Sequence, residues 1–189
     1  MPRLREGTLA AHRSVVQAAI LDATGALVAR GGLRAVTMSQ VAADAGIGRA
    51  TLYRYFPDVD ALLHAWHERR LGQHLHELAG LRRAGGPALD RLAAVLQAFG
   101  SIRHRHPGVG DAAPLHGGAA VTRAHGHVRE MVHGLVSAAA ADGAVRTDVP
   151  PAELAAYCLA SLDAAAELGS GEAVERLVAV TLDGLRPRG

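Results

Sequence analysis

Apolar residues recur along this chain at three- and four-residue intervals, punctuated by Gly and Pro, and the pattern predicts helices nearly from end to end. From Arg13 to Arg30 the stripe is Val16, Ile20, Ala23, Leu27 and Val28, closed by Gly31-Gly32. Thr37 with Gln40 forms a capping box, in which the Thr hydroxyl accepts an orphan backbone N–H and the Gln reaches back. Val41, Ala42 and Ala45 give the helix that follows a small apolar face. Gly46 stops it, because a helix readily ends in a left-handed residue that costs Gly least. Ile47 plugs the turn, and Arg49 to Phe56 restarts as a helix with Leu52 and Phe56 inward, four residues apart. Asp58, after Pro57, is an N-cap for a long helix carrying Leu62, Leu63 and Trp66 and running to about Ala79.

Gly85-Gly86-Pro87 separates this helix from an amphipathic one, Ala88 to Arg105, with Leu89, Leu92, Ala93, Leu96, Phe99 and Ile102 on its apolar side. His106 to Gly118 is rich in Gly and Pro and reads as loop with a short helical turn; Ala119 to Ala141 is helical again. Pro150-Pro151 opens a helix through Leu168, and Glu172 to Leu185 makes the last. Their joint, Gly169-Ser170-Gly171, permits only an antiparallel hairpin. Both helices are apolar over a wide arc, so both need cover on more than one side. The simplest cover is the same hairpin of a second copy, giving a four-helix bundle about a two-fold axis. Leu154, Cys158, Leu162, Val174, Val178 and Leu182 are the expected interface.

The fold class is all-α: a three-helix helix-turn-helix head over residues 1–57, with an arm over 1–12, on a larger helical body over 58–189. Charge divides the same way. Residues 1–57 carry seven Arg against three acids, or +4; residues 58–189 carry thirteen Arg against fifteen acids, or −2. A basic head on a mildly acidic body is the footprint of a nucleic-acid-binding domain attached to something else. Lys is absent, which costs phosphate binding nothing, since Arg grips phosphate bidentately. Arg3, Arg5 and Arg13 lie on or just after the arm, which could reach a minor groove, although such tails are more often disordered. The lone cysteine, Cys158, excludes an intramolecular disulfide. No apolar run approaches the roughly 20 residues of a membrane span, and no signal peptide opens the chain. A cytoplasmic protein with no membrane partner is expected.

The outward face of the Arg49 helix carries Arg49, Thr51, Tyr53, Arg54 and Tyr55, donors and rings with no acid among them. Such a surface, delivered by a tight turn, suits the major groove and its phosphate rails. Arg49 stands at the N-terminal end, where side chains reach base edges, and Thr37 and Ser39 open the preceding helix, whose amides favour a phosphate. The DNA-contact set is therefore Thr37, Ser39, Arg49, Ala50, Thr51, Tyr53, Arg54 and Tyr55.

Thr37, Val41-Ala42, Ala45-Gly46-Ile47, Thr51-Leu52-Tyr53, Tyr55-Phe56 and Leu62-Leu63, with Ala23, Leu27 and Gly31 upstream, closely resemble the TetR family of transcriptional repressors. The likeness is dense over the N-terminal third; the remainder matches in helical character and length. It implies that Thr51 and Tyr53 meet base methyls and phosphates and that Tyr55 fills the family's aromatic or His contact position. It also implies a dimer through the last two long helices and a ligand cavity among the middle ones, where Trp66, His67, Phe99, Ile102, Arg103, Met131 and Tyr157 are the candidates. One position departs from the pattern: Val59 stands where the family usually has a Lys, flanked by Asp58 and Asp60.

The 11 histidines raise a metal reading. His64 and His67, three apart, could share an ion, whereas pairs two apart point about 200° away from each other on a helix. No acid-and-cysteine cluster completes a site, so no metal and no cofactor are expected. Nucleophile elbow, Walker loop and dinucleotide fingerprint are all missing, and Cys158 sits among apolar neighbours as a small hydrophobe; no enzyme is expected. The reading is a homodimeric repressor of a near-palindromic double-stranded DNA operator, released by a small-molecule effector. The alternative, resting on Val59 and the two acids, is a helical small-molecule- or metal-binding protein with a weakened DNA-binding head.

Overall fold

The computed structural model describes residues 3–105 and 119–188, with side chains from residue 11 onward. Among these residues there are eight α-helices and no strand. They are α1 (Arg3–Gly31), α2 (Met38–Asp44), α3 (Arg49–Tyr55), α4 (Val59–Arg83), α5 (Ala88–Arg105), α6 (Ala119–Ala141), α7 (Pro151–Asp163) and α8 (Gly171–Asp183). Short 3₁₀ turns cover Leu33–Ala35 and Ala164–Glu167. The chain forms two compact units, Met1–Arg70 and Leu71–Gly189, and α4 continues from one into the other.

In the first unit, α1 opens at Arg3, earlier than the Arg13 start read from periodicity. The segment Leu4 to His12 holds good helix formers and a single Gly, so nothing in it halts the helix. The arm expected over residues 1–12 is thus mostly helix, and the reach of Arg3 and Arg5 lies outside the described residues. Ile20, Leu21 and Leu27 of α1, Met38 and Val41 of α2, Leu52 and Phe56 at α3, and Leu62 of α4 are all below a tenth exposed, and α1 packs on α2 and α2 on α3. Thr24, fully buried in the same stripe, donates its hydroxyl to the Ile20 carbonyl at 2.8 Å and so carries no unpaired polar group into the core. The start of α4 grips α1 twice. Trp66 lies so close over Gly25 that a Cβ there would stand 3.0 Å from its Nε1. One turn on, Arg69 donates to the Ala18 carbonyl at 3.2 Å and pairs with Asp22.

The second unit is built around α5, which packs on α6, α7 and α8. Leu92, Val95 and Leu96 from α5, Val132 and Val136 from α6, Leu162 from α7 and Val174 from α8 are at or below 1% exposure in one cluster. At Gly100 the helices nearly touch: a Cβ would meet Val174 Cγ1 at 2.9 Å and Leu162 Cδ2 at 3.6 Å. The α6–α7 connection is tied to the end of the chain. Arg146 donates its backbone N–H to the Leu185 carbonyl at 2.8 Å and forks onto Asp148 through Nε and Nη2 at 2.7 and 2.6 Å. Those bonds pull the Asp148 carboxyl down to about 2. The last two helices form the expected hairpin; the final turn of the first is 3₁₀, and Ser170 caps the second by accepting from the Ala173 N–H at 3.2 Å.

The residues expected at the interface pack within this chain. Leu154, Cys158, Leu162, Val174 and Val178 are all at or below 5% exposure within this chain's own core, and Leu182 is half-buried. The wide apolar arc of α7 and α8 is covered by α5 and α6. The outward row of the hairpin holds Ala156, Tyr157, Ala160, Ala179 and Val180, with Tyr157 43% and Val180 65% exposed.

Leu162→Ala is expected to lower stability by about 2–5 kcal/mol, the cost of a buried cavity. Val15→Ala, on an exposed side of α1, should change it by no more than about 0.5 kcal/mol. Urea unfolding followed by circular dichroism compares the two; equal midpoints would contradict the placement of Leu162.

Candidate nucleic-acid interface

The helix-turn-helix unit is assembled from local hydrogen bonds. Thr37, in extended backbone, accepts from the Gln40 N–H at 3.3 Å and opens α2. At the other end Gly46 takes φ 65°; its N–H bonds the Ala43 carbonyl at 3.1 Å, and the Ile47 N–H reaches the Ala42 carbonyl at 3.0 Å. That is a Schellman closure, which satisfies two carbonyls the helix would otherwise leave open. Gly48 then returns to extended backbone and α3 begins at once. The turn fixes the angle between the two helices.

Packing decides which face of α3 is presented. Leu52 at 0% and Phe56 at 5% exposure face the head core. Arg49, Ala50, Tyr53 and Arg54 are exposed, and Thr51 and Tyr55 are half-buried. Thr37 and Ser39 are exposed at the start of α2. The eight candidate DNA-contact residues therefore fall on the open sides of α2 and α3, although the Thr37 hydroxyl already serves as a cap.

Charge on this unit is sorted by pairing. Arg30 is matched to Asp44 at 2.6 Å and Arg69 to Asp22. Among the described residues no ion pair involves Arg49, Arg54 or Arg13. Arg13 instead sets its guanidinium carbon over the Tyr55 ring, 5.9 Å from the centroid, within cation–π range. The eight-residue contact set omits Arg13, which the sequence reading names beside the arm and, with Arg54, as a stand-in for the Lys missing at Val59; its contact with Tyr55 joins two residues that no periodicity links. Val59 is half-buried at the start of α4, and Asp58 serves as the expected N-cap, accepting from the Ala61 N–H at 2.7 Å.

The residues considered for a ligand have dissimilar surroundings. Trp66 belongs to the first unit, against Gly25, with Arg70 over its ring at 5.2 Å and the His67 ring 6.5 Å away. In the second unit Met131 is buried, and Phe99 and Ile102 pack on the same core. Arg103 is held by Asp163 at 3.2 Å. Tyr157 faces outward, where a Cβ on Gly184 would meet its hydroxyl at 2.9 Å, so it does not join Met131 and Phe99. Among the described residues no group of three or more His, Cys, Asp or Glu could hold a metal, and His64 is exposed while His67 is buried. Burial pushes the Cys158 thiol up to about 12, far from thiolate chemistry. No helix among the described residues is long and apolar enough to cross a membrane.

Two family models match the sequence. Residues 20–66 match the bacterial regulatory proteins of the tetR family, and residues 107–187 match the C-terminal domain of SbtR-like transcriptional regulators. No curated protein matches. Among solved structures, a TetR/AcrR-family regulator from Thermobifida fusca YX-ER1 is similar at TM-score 0.77 and 18% identity, over 90% of this chain and 98% of that one. A TetR transcriptional regulator from Streptomyces coelicolor is 28% identical at TM-score 0.65, over 92% and 99%. The regulator FadR from Bacillus subtilis, in complex with stearoyl-CoA, is 15% identical at TM-score 0.68, over 89% and 98%.

Gly46→Ala tests the turn by itself, since a Cβ there meets nothing within 4 Å and only the positive φ resists it. A loss of about 1 kcal/mol in thermal stability is expected from the left-handed backbone. An unchanged melting curve would mean the turn does not depend on that conformation.

Proposed function

Because the chain belongs to the TetR family of bacterial transcriptional regulators, we propose that it is a non-catalytic repressor that binds a near-palindromic operator as a homodimer and leaves it when a small molecule binds. The observation that carries this reading is the open face of α3, basic, aromatic and free of acids, held on a seven-residue helix by a capped turn. Arg49 at the N-terminal end reads a base edge, with guanine the commonest partner of Arg. Tyr53, 49% exposed, and Thr51 meet phosphate or base methyl groups. Two such helices about 34–36 Å apart enter successive major grooves. The protein acts in the cytoplasm, where its operator is.

The partner copy covers the outward row of α7 and α8. Ala156, Tyr157, Ala160, Ala179 and Val180 are exposed apolar residues of the hairpin, with charged flanks at Glu153, Asp163, Glu175 and Asp183, an apolar centre with a polar rim. Two hairpins joined there make the four-helix bundle anticipated from the sequence, through the opposite side of each helix. The effector sits among the helices of the second unit, near Phe99, Ile102 and Met131. Its coupling to the operator is about 1–3 kcal/mol, enough for tens-fold release.

Selection of bound fragments from genomic DNA tests the whole reading; a palindromic consensus is expected, and failure to enrich any sequence would favour a ligand-binding protein with a weakened head. On the selected duplex, Arg49→Ala and Tyr53→Ala should each cost about 1–3 kcal/mol of binding while leaving the dimer intact. Undiminished binding by either variant would remove that residue from the contact set. Val180→Arg should give a folded monomer by light scattering, and a persistent dimer would place the interface elsewhere.

A further inference from the structure

Arginines in the first unit fall into two classes. Arg30 and Arg69 are neutralised by Asp44 and Asp22 and serve to brace α1 against α2 and α4. Arg13 has no carboxylate partner among the described residues; its guanidinium carbon lies 5.9 Å from the centroid of Tyr55, the last residue of α3. Tyr55 is half-buried and so is itself fixed, whereas Arg13 is exposed.

The contact has a consequence. A guanidinium set over a ring spends none of its N–H groups on a carboxylate and keeps the fork that matches two oxygens of one phosphate. The charge remains whole, because a ring, unlike a carboxylate, does not cancel it. A free arginine loses side-chain entropy when it grips an anion; one already held against a ring loses less. The open face of α3 is thereby extended past its C-terminal end by a cation borne on a different helix.

We propose that Arg13 is a phosphate anchor of the DNA-binding surface, positioned by the Tyr55 ring. The inference rests on the DNA-binding reading above. Its partner is the phosphodiester backbone of duplex DNA, so it adds affinity and orientation without reading sequence.

The test uses the full-length chain, the duplex it selects and a mixed-sequence duplex, with affinity measured across a salt series. Arg13→Gln should make the slope of log K against log salt shallower by about 0.9 for each head engaged. The fold-loss should be equal on both duplexes, and helicity and melting should not change. Tyr55→Leu should weaken binding less in the Arg13→Gln background than in the wild-type chain. An unchanged salt slope, or a loss confined to the selected duplex, overturns the anchor. Additive effects of the two substitutions overturn the positioning by Tyr55. A wild-type chain that binds neither duplex overturns the DNA-binding reading itself, and Arg13's role with it.

Discussion

The seven-residue α3 is too short to be stable by itself, and the function proposed for this chain depends on what holds it. An isolated helix shorter than about 12–15 residues is marginal in water even with favourable residues. Here Leu52 and Phe56, one turn apart, anchor it in the head core, and the Schellman closure at Gly46 delivers it at a fixed angle. Two inward side chains on so short a helix leave Arg49, Ala50, Tyr53 and Arg54 outside, with Thr51 and Tyr55 half-buried at the margin. The exposure of Arg49, Tyr53 and Arg54 is therefore a consequence of the packing that makes α3 a helix at all.

The same economy appears in the charges. Seven arginines against three acids in residues 1–57 make the head basic on average, but the average conceals a division of labour. The Arg30–Asp44 pair is exposed enough that its worth in stability is small, yet it removes one cation from those able to meet DNA. Arg49, Arg54 and Arg13 retain theirs. Val59, where the resemblance leads one to expect a Lys, is half-buried at the start of α4, and Asp58 beside it is committed to capping that helix. An acid engaged by a backbone N–H at a positive helix terminus opposes a nearby phosphate less than a free one would.

Local chemistry in the sequence was a reliable guide, and tertiary choice was not. The Thr37 cap, the left-handed Gly46, the inward pair on α3 and the Asp58 cap are set by residues a few positions apart, and each is found where the pattern puts it. Periodicity marks a buried stripe and so dates α1 from Arg13, whereas the helix opens at Arg3. The hairpin of α7 and α8 shows the deeper limit. A wide apolar arc reveals that both sides of a helix are covered, but not which side meets the chain's own core. Here α5 and α6 take the larger side chains, leaving Ala, Tyr157 and Val180 outward. For the same reason the ligand candidates divide, with Phe99, Ile102 and Met131 on one core, Trp66 in the first unit and Tyr157 facing outward, and the Arg13–Tyr55 contact had no signal in the pattern.

On the proposed reading, the remaining problem is how binding in the second unit alters the first. The two units have separate cores, so an effector can loosen one without unfolding the other. α4 contributes Leu62 and Leu63 to the first and Leu78 to the second. Its hold on α1 is steric as well as polar, because the indole of Trp66 occupies the space a side chain at Gly25 would fill, and Arg69 grips the Ala18 carbonyl one turn later. A helix seated this way cannot slide along α1 without losing both contacts, so a displacement of α4 must carry α1 with it. Since α1 packs on α2 and α2 on α3, the proposed release leaves the head folded as one piece. Release then requires only that the spacing of two intact heads change, which is compatible with a coupling of about 1–3 kcal/mol; melting a head would cost several times more.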